Sequence, residues 1–195
     1  YWPYSRQTMA QKIAEGRIIF PKDASGTPML KRFASEAMKP TIPVSSWIER
    51  SSAGAGQSTI VSPMNSSATT ALKELFGGKL FSFPKPVELI KALIDQGAAK
   101  DALILDFFAG SGTTAQAVFE CNAADGGNRR CILIQLPEEI DEESDAFKDG
   151  YRTIADFAQE RIRRAGKRIL EGECHPDWNR DVGFRVLKVD TSNMK

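Results

Sequence analysis

The chain has 195 residues, which is enough for one domain or for one domain with an irregular extension. An apolar content of 42% and a charged content of 26% are typical of a soluble globular protein. Because the net charge is only +1, any basic surface for nucleic acid must be local. No apolar run approaches the ~20 residues that span a bilayer. We therefore predict a soluble cytoplasmic protein that has no membrane partner.

The cysteines predict neither a disulfide framework nor a metal site. Three of them, Cys121, Cys131 and Cys174, are odd in number and widely spaced, which is typical of reduced thiols inside a cell. Cys174 stands next to the only histidine, His175. A zinc site needs about four ligands, so this pair is insufficient and we predict no metal.

The first 75 residues are predicted to be an irregular segment, and residues 76–195 to form the folded domain. Residues 16–33 suggest a short strand, a turn at 25–26 and then a helical piece. Residues 51–70 are dominated by Ser, Gly, Ala and Thr, which bury too little apolar surface to offset the entropy of ordering. We predict a mobile linker there, or a segment that becomes ordered on a partner.

From residue 71 onward, helical and strand patterns alternate. Strand, helix and strand at the observed spacing predict parallel strands joined by a right-handed crossover, and hence an α/β fold. The continuous apolar run of the second strand suits a sheet covered on both faces. The predicted elements are a short helix ending at Gly77-Gly78, a helix over 86–97, a strand over Ala102–Leu105, a helix over Thr113–Cys121, a strand over Cys131–Gln135, a helix over Tyr151–Leu170 and a strand over Val182–Asp190.

The stretch LILDFFAGSGTT at residues 103–114 marks the candidate site. A loop that leaves a strand of a parallel sheet lies at the carboxyl edge, where ligands bind. Gly110 and Gly112 permit positive φ angles and close approach of the backbone to a ligand. The helix that begins near Thr113 offers unpaired N–H groups and a partial positive charge to an anionic group. The pattern predicts a site for a nucleotide-like cofactor.

The charge of the ligand distinguishes the candidate cofactors. Thr113 follows the second glycine where a nucleoside-triphosphate loop has lysine, whereas Gly110-x-Gly112-x-x-Ala115 matches a dinucleotide fingerprint and leaves an NADP-dependent oxidoreductase as the alternative. A pyrophosphate ~5 Å from Asp106 would be repelled by roughly 3 kcal/mol per pair of unit charges at an effective dielectric of ~20. S-adenosylmethionine offers its carboxylate to the N–H groups and its ammonium and sulfonium to the acid. Asp106 therefore favours S-adenosylmethionine, unless it is an ordinary residue at a strand end.

Five blocks of the sequence resemble DNA amino-methyltransferases. DFFAGSGTTAQAV at 106–118 resembles their cofactor-binding motif, and FSFPKPVELIKALI at 81–94 resembles the segment that precedes this motif in the permuted beta class. The blocks at 128–141, 150–169 and 183–193 resemble the modification subunits of type III restriction–modification systems. The resemblance covers roughly residue 16 to the C-terminus, and the order of the blocks is more specific than any single one.

The resemblance implies a Rossmann-like, three-layer methyltransferase fold with a mostly parallel sheet, which we expect to be incomplete in this chain. It also implies that S-adenosylmethionine is the cofactor. Gln135 stands where nucleotide-binding folds usually have an acid for the ribose, and a neutral amide is the weaker acceptor. The residues that the resemblance assigns to the pocket are Asp106, Phe107, Phe108, Ala109, Gly110, Ser111, Gly112 and Thr113, with Phe83, Lys85 and Pro86 beside the methionine part and Gln135 at the ribose.

The family transfers a methyl group to the exocyclic amine of adenine, less often of cytosine, after the base is flipped out of double-stranded DNA. Its catalytic tetrapeptide is Asp/Asn/Ser-Pro-Pro-aromatic. Ser62-Pro63-Met64-Asn65 lacks the second proline and the aromatic residue, and Trp2-Pro3-Tyr4 lacks the rest. We therefore assign no catalytic residue, and expect a fragment that begins after the catalytic strand and is inactive alone.

The resemblance implies double-stranded DNA as a partner, and it leaves a restriction subunit and a second copy of the chain open as further partners. Trp47 lies in residues 40–70, where the family carries part of its target-recognition region, and is either a packed aromatic residue or one that stacks on DNA. The basic residues of one predicted helix are expected to form a solvated face, with contact to a phosphate backbone as the alternative. These are Arg161, Arg163, Arg164, Lys167 and Arg168.

Overall fold

The computed structural model describes residues 4–23, 25–31, 33, 36, 44, 46, 48–50 and 60–189. The chain divides into two compact units, Tyr1–Pro43 and Val44–Lys195. Residues 44–75 therefore group with the second unit. The division of function at residue 75 that the sequence suggests remains a prediction.

The described residues of the first unit include one helix and one small hairpin. Helix α1 spans Arg6–Ala14, and strands β1 (Ile18–Ile19) and β2 (Met29–Leu30) pair antiparallel. The predicted turn is present, because the Gly26 N–H donates to the Asp23 carbonyl over 3.0 Å. The helical piece predicted after this turn is wrong. Pro28 disfavours helix in the residue before it, and pairing with β1 satisfies the backbone instead.

The second unit contains the predicted alternation of helices and strands. Its elements are β3 (Ile48–Arg50), β4 (Ile60–Ser62), α2 (Asn65–Phe76), α3 (Val87–Gly97), β5 (Leu103–Asp106), α4 (Thr113–Asp125), β6 (Arg130–Leu133), α5 (Asp145–Lys148) and α6 (Ile154–Leu170). Strand β3 pairs with β4 in parallel, and β5 pairs with β6 in parallel. The predicted β–α–β unit is therefore confirmed, and the fold is of the mixed α/β type.

Local signals set the helix ends. Gly77 ends α2 with a left-handed φ of 80°, and its N–H donates to the Lys73 carbonyl over 2.7 Å. Pro86 is the N-cap residue of α3, so it lies one position before the observed first turn and not within that turn as predicted. Helix α6 begins with a capping box in which Thr153 and Asp156 accept from each other's backbone N–H groups.

One face of the β5–β6 pair is packed and the other is open. Ile104, Cys131 and Leu133 face apolar clusters built from α3, α4 and α6. Val118 of α4 is almost fully buried in this core. On the opposite face four aliphatic side chains are about half exposed, namely Leu103, Leu105, Ile132 and Ile134. Within the described residues the sheet is therefore covered on one face, not on both as its apolar run predicts.

An aromatic cluster joins α2 to α6. Phe157 is completely buried, and its ring stacks on Phe76 with 4.5 Å between centroids and on Phe81 with 5.2 Å. Tyr151 meets Phe157 edge to face at 5.4 Å. Such pairs add stability beyond the apolar area they bury. The cluster fixes the first turns of α6, on which the candidate site depends.

Three expectations for less regular segments have different outcomes. The strand predicted over Val182–Asp190 is wrong for residues 182–189, which form no strand: Val182 packs against α6 instead, and no described strand pairs with this segment's backbone. Residues 51–59 and Trp47 lie outside the described part of the chain. Residues 60–70 belong to β4, a short connection and the beginning of α2, so this half of the predicted linker is structured.

Among the described residues, no helix is long and apolar enough to cross a membrane.

Candidate cofactor site

The glycine loop connects β5 to α4 and carries two positive φ angles. Gly110 has φ 52° and Gly112 has φ 80°, as the sequence predicts. The Gly112 N–H donates to the Ala109 carbonyl over 2.8 Å. A Cβ atom at Gly112 would lie 3.2 Å from the Ala158 carbonyl oxygen of α6. Glycine is therefore required here by the backbone angle and by the close approach of a helix.

Asp106 organises this loop from the end of β5. Its Oδ1 atom accepts from the Phe108 N–H over 3.0 Å, and its Oδ2 atom accepts from the Thr114 hydroxyl over 2.6 Å. Asp106 itself is partly buried. A carboxylate offers about four lone pairs and these bonds use two of them, so the group can still accept from a ligand. Asp106 therefore has a structural role in the loop, and its role in binding a ligand remains a prediction.

Gln135 holds the same loop from the second strand. Its side-chain oxygen accepts from the Gly110 N–H over 2.7 Å, and its amide nitrogen donates to the Leu136 carbonyl over 3.1 Å. The resemblance places Gln135 at the ribose, whereas the observed contact is with the loop backbone. A further lone pair and a further N–H remain for a hydroxyl group.

A buried arginine from α6 completes the set of side chains around the loop. Arg161 is 3% exposed. One terminal nitrogen donates to the Ser111 and Thr113 hydroxyls, each over 2.7 Å, and Nε donates to the Gln116 side-chain oxygen over 3.0 Å. Burial lowers the pKa of Arg161 to about 10, with the charge of Glu120 acting in the opposite direction. The guanidinium is therefore still protonated at pH 7.

Arg161 also belongs to a polar chain that crosses three helices. The Gln116 amide donates to Glu120 over 3.0 Å, and Lys91 of α3 donates to the other Glu120 oxygen over 3.0 Å. Hydrogen bonds thus link Arg161 to the Glu120 carboxylate through Gln116, and no described carboxylate lies within 4 Å of the guanidinium of Arg161.

Arg161 corrects the sequence-based interpretation of the basic helix. Arg163, Lys167 and Arg168 are exposed, as a solvated face requires. Arg164 is half-buried, and its guanidinium lies over the Phe76 ring at 4.7 Å and pairs with Glu160. Arg161 is on the opposite, buried side of the helix. The signal was available in the sequence, because Arg161 lies one position before the apolar stripe residue Ile162 and shares its face with Phe157 and Ala158.

Residues 83–86 have mixed exposure. Pro86 is fully buried. Phe83 is 81% exposed and adopts a positive φ of 57°, which is rare for an aromatic residue. Lys85 is exposed. Among the described residues no hydrogen bond or ion pair joins Phe83 or Lys85 to the glycine loop, so their place in a pocket remains a prediction.

Helix α6 is nevertheless a common support for both segments. Phe81, two residues before Phe83, stacks on Phe157, and Gly112 packs against the next residue, Ala158. In the loop, Phe108 is 89% exposed while Ala109, Ser111 and Thr113 are buried.

The helix that follows the loop has an uncapped N-terminus. No described side chain accepts from the first N–H groups of α4, whose N-cap is Gly112. Together with the charged Arg161 beneath it, this end of the helix favours an anion, while the lone pairs of Asp106 favour a cation. Phe107 is 60% exposed beside them. The arrangement suits a zwitterionic ligand with an apolar or aromatic part.

Within the described part of the chain, two of the free cysteines, Cys121 and Cys174, make no hydrogen bond with the glycine loop. Cys121 is buried in the α3–α4 core, and burial raises the pKa of its thiol to about 11. Cys174 donates to the Ile169 carbonyl, and His175 accepts from the Asp177 N–H. No group of three metal-binding side chains occurs among the described residues.

Known proteins are similar to this chain over almost its whole length. Residues 5–145 match the DNA methylase family model. The chain is 34% identical over 191 residues to the Mod subunit of the type III restriction–modification enzyme StyLTI from Salmonella typhimurium, covering 97% of this chain and 27% of that protein. Identity to the EcoPI Mod subunit of Escherichia phage P1 is 46% over 122 residues, covering 63% of this chain and 18% of that protein. Identity to the EcoP15I Mod subunit of Escherichia coli is 33% over 184 residues, covering 93% of this chain and 24% of that protein.

These relatives confirm the resemblance that the sequence motifs predict. The chain spans about a quarter or less of the length of each of these three proteins. The family match is to a methylase, which argues against the NADP-dependent oxidoreductase that the Gly-x-Gly-x-x-Ala pattern leaves open. The chain belongs to the DNA methylase family.

Proposed function

We propose that the loop between β5 and α4 binds S-adenosylmethionine, and that the whole protein methylates DNA at the exocyclic amine of adenine. The observation that carries the proposal is that one loop has a group that favours a cation and another that favours an anion. The partly buried Asp106 suits the ammonium and sulfonium groups, and the uncapped start of α4 above Arg161 suits the carboxylate. A pyrophosphate has no cationic group to offer Asp106.

The chain's own residues orient the cofactor; when bound, S-adenosylmethionine supplies an electrophilic methyl group. Asp106 and Gln135 hold the loop through its N–H groups and retain acceptor capacity for the ligand. We propose that Phe83, Lys85 and Pro86 border the methionine part and that Phe107 and Phe108 shield it from water. Gln135 is proposed to lie near the ribose. No catalytic residue is proposed from this chain.

A Rossmann-like sheet is the proposed context of the site. The parallel β5–β6 pair with α4 as its crossover matches one unit of such a fold. The half-exposed aliphatic face of this pair gives further elements of a three-layer fold a surface to cover. We propose that residues 76–195 form the cofactor-binding part and residues 1–75 contribute to target recognition.

The names of the relatives motivate the proposed biological role. Three of them are Mod subunits of type III restriction–modification enzymes. We propose that the full-length protein acts on double-stranded DNA beside a restriction subunit, and a homodimer is a further proposal. A basic surface is offered by the exposed Arg163, Lys167 and Arg168, and we propose no DNA contact for these residues.

The activity is tested with full-length protein, methyl-labelled S-adenosylmethionine and duplex DNA. The expected result is labelled N6-methyladenine after digestion to nucleosides. Label in cytosine would correct the target base, and the absence of any label would contradict the proposed activity. The isolated 195 residues are predicted to transfer no methyl group, because the chain lacks the Pro-Pro-aromatic tetrapeptide.

A further inference from the structure

The unusual feature of the site is a buried charge whose hydrogen-bond partners, within the described part of the chain, are all neutral. Arg161 is 3% exposed, and its three acceptors are the hydroxyls of Ser111 and Thr113 and the side-chain oxygen of Gln116. Buried cations are usually paired with a carboxylate, because desolvation disfavours them otherwise. No described carboxylate lies within 4 Å of this guanidinium. Helix stability alone does not explain why an arginine occupies this position.

The three acceptors identify what the arginine controls. Ser111 and Thr113 flank Gly112, so one guanidinium nitrogen fixes the residues on both sides of the most constrained glycine of the loop. Thr113 is also the first residue of α4, whose N-terminus lacks a side-chain cap. The guanidinium thus holds the backbone at the point where the N–H groups of α4 begin.

The unpaired charge has a consequence for the ligand. Its field adds to the partial positive charge of the α4 N-terminus, and low exposure weakens screening by water. Asp106 lies at the end of β5, and its carboxylate accepts from the Phe108 N–H of the loop and from the Thr114 hydroxyl in the first turn of α4. The two residues therefore present charges of opposite sign around one loop, as a zwitterionic ligand requires.

We propose that Arg161 is a positioning residue that fixes the loop and the start of α4 so that they receive the carboxylate of the cofactor. This inference rests on the proposed S-adenosylmethionine site. It goes beyond that site by assigning a role to a residue of α6, which lies 50 positions after Ser111 in the sequence. Arg161 need not touch the ligand, because it acts through Ser111 and Thr113.

The test compares two ligands that differ in the carboxylate alone. S-adenosylmethionine and its decarboxylated analogue, which keeps the ammonium and sulfonium, are titrated into the full-length protein by calorimetry. For Arg161→Gln, affinity for S-adenosylmethionine should fall roughly 10- to 100-fold, as expected for lost interactions with a charged group. Affinity for the decarboxylated analogue should change by less than about 3-fold. In methylation assays KM for S-adenosylmethionine should rise, with kcat at saturation little changed.

Two further variants keep the test decisive. Thr113→Val preserves side-chain shape, Arg161 and the Ser111 bond, so it should fold and should show a smaller loss with the same selectivity for the carboxylate. Arg163→Gln is the matched control, because Arg163 lies on the same helix with its side chain 56% exposed. Its affinities for both ligands should equal those of the wild type.

The outcomes separate the two proposals. If the wild type binds no S-adenosylmethionine, the proposed function fails and this inference fails with it. If the wild type binds but Arg161→Gln and Thr113→Val weaken both ligands equally, or weaken neither, the cofactor site stands and the positioning role of Arg161 is wrong.

Discussion

Replacement of Gly112 by alanine tests the contact between the glycine loop and α6. Gly112 has φ 80°, a left-handed conformation that costs an alanine about 1–2 kcal/mol. Its new Cβ would also lie 3.2 Å from the Ala158 carbonyl oxygen, which is tighter than an ordinary contact. Such overpacking typically costs a further 1–3 kcal/mol. The expected loss in the free energy of unfolding is therefore about 2–5 kcal/mol for Gly112→Ala.

Gly77 provides a control with the same backbone angle and no neighbour. Its φ is also 80°, and no described atom lies within 4 Å of a Cβ built there. Gly77→Ala should lose only the conformational part, about 1–2 kcal/mol. Urea unfolding followed by circular dichroism measures both variants. Equal losses for the two would refute the claim that α6 packs directly against the glycine loop.

Two substitutions and one alkylation experiment probe the site and the core. Asp106→Asn keeps the size of the side chain but removes its charge, and should weaken S-adenosylmethionine binding by about 1.5–3 kcal/mol in calorimetry; unchanged affinity would remove Asp106 from the pocket. Gln135→Met removes the acceptor of the Gly110 N–H, which should lower stability by about 1 kcal/mol and speed amide exchange at Gly110; a slowly exchanging Gly110 amide would argue against this bond. Burial raises the pKa of Cys121 from 9.0 to about 11. The protonated thiol therefore contributes its full stability below pH 9, and this contribution is lost as the pH rises toward 11. At pH 8 an alkylating reagent should therefore modify Cys174 well before Cys121, and mass spectrometry showing equal rates would contradict the burial of Cys121.

Local sequence signals were sufficient for the elements around the loop. Predicted and observed strands differ by one or two residues at Leu103–Asp106 and Arg130–Leu133, and α6 begins within three residues of the predicted start. The sequences of these elements have a strong hydrophobic periodicity, or they have capping residues and glycines that mark where a helix begins or ends. The acid before the glycines predicted that Asp106 faces a cationic ligand, which stays a prediction, whereas its bonds to the Phe108 N–H and the Thr114 hydroxyl were not predicted.

The remaining features depend on tertiary contacts that the sequence pattern does not encode. Val182 follows an alternating pattern but packs against α6, so residues 182–189 form no strand. The role of Arg161 depends on where α6 crosses the loop 50 residues away in sequence. Gln135 was assigned to a ribose by its strand position, whereas its nearest partner is the Gly110 backbone. In each case a long-range neighbour determined the outcome.

Parallel calorimetric titrations of the full-length protein with S-adenosylmethionine and with NADP test most directly whether the loop receives a zwitterion. Saturable binding of S-adenosylmethionine, weakened in Asp106→Asn, together with no heat from NADP, is the predicted result. Binding of NADP in the absence of any S-adenosylmethionine binding would contradict the account.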